Sequence, residues 1–266
     1  MENQEIKEAN RKAMPMFILL VIAGAAAGGI MGFVIAKYGL HGFSENIERV
    51  ADVFSTFVAP WMMFTIAVFV PLILSPYYMK TKKMLLSWDG EDEEISDGIE
   101  KRLSVIIWVT SCGLIISYFL IGAVYSKGLE IFDNNKGGIL PFSVGVVAFM
   151  AILVEAVIFQ QKCVDLAKIM NPEKKASVYD MRFQKKWMES CDEAEKIIVG
   201  KCAFKAYSVT NSVCYVLEIV LVICALAFGT GFLPALVVCI IWLVKTSVYF
   251  RESMKYSKAG NKINYV

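Results

Sequence analysis

The feature that most constrains this chain is a series of apolar runs, each about as long as a bilayer is thick. A hydrocarbon core about 30 Å deep takes roughly 20 residues of α-helix to cross. Backbone polar groups within it must be satisfied internally, which a helix does. Six runs meet that length, at about 14–36, 53–78, 103–125, 139–159, 206–228 and 232–250. Between Met14 and Ala36 there is no charged residue, and Lys37 ends the first run. That run is longer than the apolar stretch of an ordinary signal peptide, so it is expected to be retained as a span.

Composition agrees. The 266 residues are 57% apolar, with a mean hydropathy of +0.55, and the 20% that are charged fall in clumps between the runs. That arrangement belongs to a membrane protein rather than to a soluble core. A net charge of +2 gives no basis for binding nucleic acid.

Basic residues orient the chain, because cytosolic loops carry the excess of Lys and Arg. Three lie before the first span, five between the second and third, ten between the fourth and fifth, and four in the tail, 22 in all. The other side has four: Lys37, Arg49, Lys127 and Lys136. The expected fold is therefore all-α. It is one transmembrane helix bundle over 1–266, with six spans in three hairpins and both termini cytosolic. The cytosolic segments are 1–13, 80–102, 160–205 and 251–266. Helical extensions of the fourth and fifth spans are expected to enter the third of these.

Little chain remains outside. Ser44, followed by Glu45, reads as an N-cap of a short interfacial helix. Asp133-Asn134-Asn135 with Gly137-Gly138 reads as a turn, as does Gly229-Thr230-Gly231. On the cytosolic side, Asp89 to Glu94 forms an acidic run without the spacing of a calcium loop, so it reads as solvated. Over 178–201, Met181, Trp187 and Met188 fall at roughly helical spacing, after breaks at Asn171-Pro172 and Ala176-Ser177.

Several residues are candidates for function, each with a plainer reading. Gly24, Gly28 and Gly32 share one face of the first span and allow close helix approach. Packing within the chain is the plainer reading, and a homo-oligomer interface the alternative. Pro60 and Pro71 kink or hinge the second span. Glu155, Glu218 and Lys245 are ionisable groups inside apolar runs, where a charge normally faces the bundle interior and has a partner. Glu218 and Lys245 lie at levels about 10 Å apart on adjacent antiparallel spans. Side chains tilt toward their own helix N-terminus, so an ion pair between them is expected. Glu155 has Ser143, Ser111 or Thr110 as hydrogen-bond candidates. Trp88 and Trp187 are candidates for docking a partner or for the headgroup level.

The absences are also informative. The chain has no phosphate loop, no H-E-x-x-H, no G-x-S-x-G and no G-x-G-x-x-G. His41 is the sole histidine. No cofactor, metal or enzymatic activity is expected. The seven cysteines contain no CxxC pair and read as reduced thiols.

Two cytosolic stretches carry a resemblance. Trp88-Asp89-Gly90-Glu91-Asp92-Glu93-Glu94 is one. Ser177-Val178-Tyr179-Asp180 through Gln184-Lys185-Lys186-Trp187, and on to Glu189-Ser190-Cys191-Asp192-Glu193-Ala194-Glu195-Lys196, is the other. Both resemble a family of multi-pass membrane proteins of unknown function. The resemblance covers most of the chain and implies a low-GC Gram-positive bacterial setting. It brings no activity and no catalytic residue. The expected function is that of a non-enzymatic membrane protein acting through cytosolic protein partners, such as an accessory subunit of a transport or peptide-resistance system. The alternative is a small-solute or ion transporter with a polar path near Glu155 and Glu218.

Overall fold

The computed structural model describes residues 14–16, 18, 19, 22–24, 26, 29, 30, 33, 49–126, 139–174, 176–228 and 230–257. Regular structure among them is helical throughout. Five helices are long and apolar enough to cross a membrane. They are α1 (Arg49–Ser87), α2 (Glu93–Tyr125), α3 (Ile139–Met170), α5 (Glu193–Phe228) and α6 (Leu233–Ser257). A short α4 (Phe183–Glu189) lies between α3 and α5. Residues described between 14 and 33 are also helical. The remainder of the first expected span lies outside the described residues, as do His41, the Ser44 cap and the 127–138 turn. The chain divides into two compact units, Ile47–Gly200 and Lys201–Val266 taken with Met1–Asn46.

The Ile47–Gly200 unit is a triangle of three helices, with α1 and α3 parallel and α2 antiparallel to both. At one end Ala59 and Met63 of α1, Leu120, Ile121 and Val124 of α2, and Ala148 and Ile152 of α3 form an apolar cluster. Further along, Leu74 and Leu85, Ile99, Leu103 and Ile106, and Phe159, Cys163 and Leu166 form a second. Leu85, Ile99 and Leu166 lie within charged segments beyond the expected spans. The three helices thus leave the apolar zone together, still sharing a core.

Pro60 shapes the start of α1. Without an N–H it cannot close the bond to the carbonyl four residues back. The preceding turn, Phe54–Val58, widens into a π-turn in which the Ala59 N–H reaches the Phe54 carbonyl. Gly145 of α3 packs directly on this point. A Cβ there would meet Met63 Cε at 3.0 Å and Pro60 Cβ at 3.4 Å. Pro71 and Pro76 are accommodated within a continuous helix.

The acidic run is exposed, as expected, but part of it is a helix start rather than a loop. Asp89 Oδ1 accepts from the N–H groups of Glu91 at 3.0 Å and Asp92 at 3.4 Å. These bonds hold its carboxyl below the usual carboxylate range. Gly90 takes φ +91°, a conformation that favours glycine. Asp92 Oδ1 then caps α2 by accepting from Glu94 N at 2.9 Å and Ile95 N at 3.1 Å. Glu93 and Glu94 sit in the first turn, where the helix dipole favours negative charge.

The roughly helical spacing over 178–201 does not belong to one continuous helix. Asp192 caps a new helix, so α4 ends at Glu189 and α5 begins at Glu193. Met181 precedes α4 and shares no helix face with Trp187 and Met188.

The Pro60–Gly145 contact predicts that Gly145→Leu destabilises the unit by about 1–3 kcal/mol, the usual cost of overpacking. Gly98→Leu, where nothing lies within 4 Å of the added Cβ, serves as the control. Thermal unfolding of the purified protein in nanodiscs checks this: a lower midpoint is expected for Gly145→Leu alone.

Candidate functional site

The candidate site is a small platform over 171–192, held to α3 on one side and α5 on the other. It starts from Gln161, a buried amide near the end of α3. Gln161 Oε1 accepts from Val178 N at 2.8 Å and Ser177 Oγ at 3.1 Å. Its Nε2 donates to Asp165 Oδ1 at 2.7 Å. A buried amide with each of these groups satisfied fixes backbone that would otherwise be an open linker. Asp180 adds a local turn by accepting from Arg182 N at 2.8 Å, and its carboxylate also pairs with Lys186. Lys186, with the Arg182 N–H, holds the Asp180 carboxyl below the usual carboxylate range.

The other anchor is Lys174, a lysine whose side chain is only 2% exposed. Its ammonium pairs with the Glu195 carboxylate. It also donates to Ser190 O and Cys191 Sγ, both at 3.4 Å, and lies 5.5 Å from the centre of the Trp187 ring. Asp192 and Glu195 form a reciprocal capping box at the start of α5. Glu195 N donates to Asp192 Oδ1 at 2.7 Å, and Asp192 N donates to Glu195 Oε2 at 3.0 Å. Lys174 therefore neutralises the carboxylate that starts α5. Burial alone would lower its pKa. Hydrogen bonds to Glu195 and Cys191 outweigh that, so the ammonium is held above the ordinary lysine value.

Beside these anchors is a cleft of about 730 Å³ lined by Glu173, Lys186, Glu189, Ser190, Cys191 and Asp192. Tyr179 and Met181 stand out from the same segment, 70% and 102% exposed. Trp187 is half-buried, between Phe183 at 5.7 Å and the Lys174 ammonium. Trp88, the other docking candidate, packs against the second apolar cluster. Its indole N–H donates to the Asp92 carbonyl at 2.9 Å, closing the α1–α2 connection.

Glu155 lies half-buried where α3 faces α1. Of its anticipated hydrogen-bond partners, Ser143 lies twelve residues away along α3, about 18 Å, and the other two are engaged elsewhere. Ser111 Oγ accepts from Gln160 Nε2 at 3.1 Å, and Thr110 donates to the Ile106 and Ile107 carbonyls. Among the described residues no hydrogen bond or ion pair reaches Glu155. Its side chain closes one end of a groove of about 600 Å³ between α1 and α3.

In the other unit the expected Glu218–Lys245 ion pair does not form. Tyr207 stacks on Tyr249 at 4.8 Å, and Tyr215 meets Trp242 edge-on at 4.2 Å. This register keeps Glu218 and Lys245 at levels about 10 Å apart. The lean is what differs. Lys245 Nζ extends toward the C-terminal end of α6, donating to Tyr207 O at 3.4 Å and lying 4.7 Å from that ring's centre. Tyr207 is eleven residues, about 16 Å, from Glu218 along α5. A lysine stem snorkels toward a helix end more readily than it follows the Cβ tilt. Among the described residues, Glu218 Oε2 is buried with no hydrogen-bond partner, and so is Asn211 Oδ1.

Of the glycine stripe, Gly24 is helical, and no described atom lies within 4 Å of the position its Cβ would take. Gly28 and Gly32 lie outside the described residues. All seven cysteines are unbridged.

Among the described residues, five helices long and apolar enough to cross a membrane mark the chain as a helical membrane protein. The chain belongs to the family described as "Protein of unknown function (DUF3169)", whose profile matches residues 11–253. No curated protein and no solved structure matches it.

Lys174 gives the platform a measurable pH dependence. Because its folded pKa is raised, its contribution is fully present below the unfolded value of about 10.4. It is lost as pH climbs through the higher folded value. Lys174→Met should weaken the platform by about 1–3 kcal/mol, less than for a fully buried pair because Glu195 is 39% exposed. Hydrogen exchange at Glu195–Ile198 should speed up by roughly tenfold or more at pH 8. Lys174→Arg should exchange more slowly than Lys174→Met.

Proposed function

We propose that this chain is a non-enzymatic protein of the bacterial cell membrane that acts by docking protein partners on the 171–192 platform. In this reading it has six spans and both termini in the cytosol, and the platform faces the cytosol. One concrete version is an accessory subunit of a transport or peptide-resistance system.

The observation that carries the proposal is the construction of the platform. A segment outside the apolar zone is held at Gln161 and at Lys174, while Tyr179 and Met181 are left in solvent. Anchored, exposed aromatic and methionine side chains beside a charged cleft suit protein recognition. The orientation draws support from the same end of the three-helix unit. There Arg102 lies 5.3 Å from the Tyr77 ring centre and Lys162 lies 5.8 Å from that of Tyr78. Tyrosines with adjacent basic residues are favoured where a helix meets the cytosolic headgroups.

Transport through a path at Glu155 is less well supported. A polar cavity reaching that carboxyl would be required. The groove beside it is lined by apolar side chains apart from Ser143 and Glu155 itself.

A photoreactive benzoylphenylalanine at Tyr179 or Met181, incorporated in growing cells, tests the proposal. A discrete protein adduct is expected, reduced severalfold by Glu189→Lys in the neighbouring cleft. No adduct at either position would overturn the docking site. Solute flux in liposomes that is abolished by Glu155→Gln and Glu218→Gln would support transport instead.

A further inference from the structure

We infer that the groove between α1 and α3 is a binding site for an elongated lipophilic cation, whose positive end pairs with Glu155. The inference stands apart from the docking platform. The groove's volume of about 600 Å³ lies within the range of small-molecule sites. It exists because three of the residues facing across it are small, Ala67 on α1 and Ala148 and Ala151 on α3. Trp61 and Phe64, packed edge to face at 5.9 Å, form the α1 wall.

Charge selects the ligand class. Among the described residues Glu155 is the one ionisable group lining the groove, and none of them donates to it. A carboxylate in apolar surroundings is costly until a cation pairs with it. Arg102 and Lys162, toward the other end of the unit, lie over aromatic rings instead. The indole and phenyl walls suit a soft organic cation, which aromatic faces attract. A bare divalent metal is excluded by its need for six or more oxygen ligands. The second oxygen-bearing side chain in the groove, Ser143, lies twelve residues away along α3, about 18 Å. That length fits a charged head at Glu155 with an apolar body laid along three turns of helix toward Ser143.

The experiment uses the full-length protein in phosphatidylcholine nanodiscs. The probe is dodecyltrimethylammonium carrying a diazirine on its chain, and diazirine-tagged dodecanol is the neutral control. Saturable labelling of residues 61–68 and 143–155 is expected with the cation and not with the alcohol. Labelling should fall by about tenfold or more in Glu155→Gln, as expected for loss of one charge-assisted contact. A comparable fall is expected in Ala151→Phe, which fills the groove. Glu155→Asp should retain saturable labelling. A thermal midpoint matching the unsubstituted protein identifies the variants that are folded. Equal saturable labelling of folded Glu155→Gln, or of folded Ala151→Phe, would overturn the site. Equal saturable labelling by the alcohol would mean that the groove holds an acyl chain without regard to charge, and would also overturn it.

Discussion

The contact between Gly145 and Pro60 sets the geometry on which the rest of the Ile47–Gly200 unit depends. Pro60 removes a backbone donor and forces the π-turn at Phe54–Val58. Gly145, having no side chain, lets α3 approach that point closely. With the two helices in contact there, Ala59 and Met63 meet Ala148 and Ile152, and α2 closes the third side. The packing then runs along the helices to Leu85, Ile99 and Leu166. It therefore continues past the apolar zone, and the 171–192 platform is built on a rigid end rather than on a frayed one.

The distribution of charge follows from the cost of burying it. Lys174 is buried because Glu195, Ser190, Cys191 and the Trp187 face surround its ammonium. Lys245 keeps its Cα within the apolar run and carries its charge toward the helix end, to Tyr207. Arg102 and Lys162 reach aromatic rings at the end of the three-helix unit. Glu155 and Glu218 depart from this pattern: Glu155 places its carboxyl in an apolar groove with no donor among the described residues, and Glu218 Oε2 is buried with no partner among them. Groups that break a local rule without visible compensation are where function is most often found.

Much of the helical architecture was legible in the sequence, because apolar length maps directly onto helix length. The extension of α3 and α5 beyond the apolar runs was legible too. The helices' true ends were harder to see. Asp92 followed by Glu93 and Glu94 is a capping signal, yet in a run of acidic residues it reads equally as solvated chain. Asp192-Glu193-Ala194-Glu195 hides a capping box inside a stretch whose apolar spacing suggests unbroken helix. Gln161 and Lys174 carry no local signal of burial, since the platform groups that they anchor lie 16 to 21 residues away. Leu85 and Ile99 were detectable as an apolar stripe running through charged segments. The Glu218–Lys245 pair failed on side-chain direction, although the level difference it was based on agrees with the aromatic register.

We propose that the three-helix unit crosses the membrane, with the α1–α2 connection and the platform together on the cytosolic side. Labelling single cysteines in a cysteine-free background with a membrane-impermeant maleimide tests it most directly. Ser126→Cys, exposed at the far end of α2, should label in intact cells. Ser87→Cys and Met181→Cys should label only after permeabilisation. Labelling of Met181→Cys in intact cells, or of all three positions from the same side, would contradict the account.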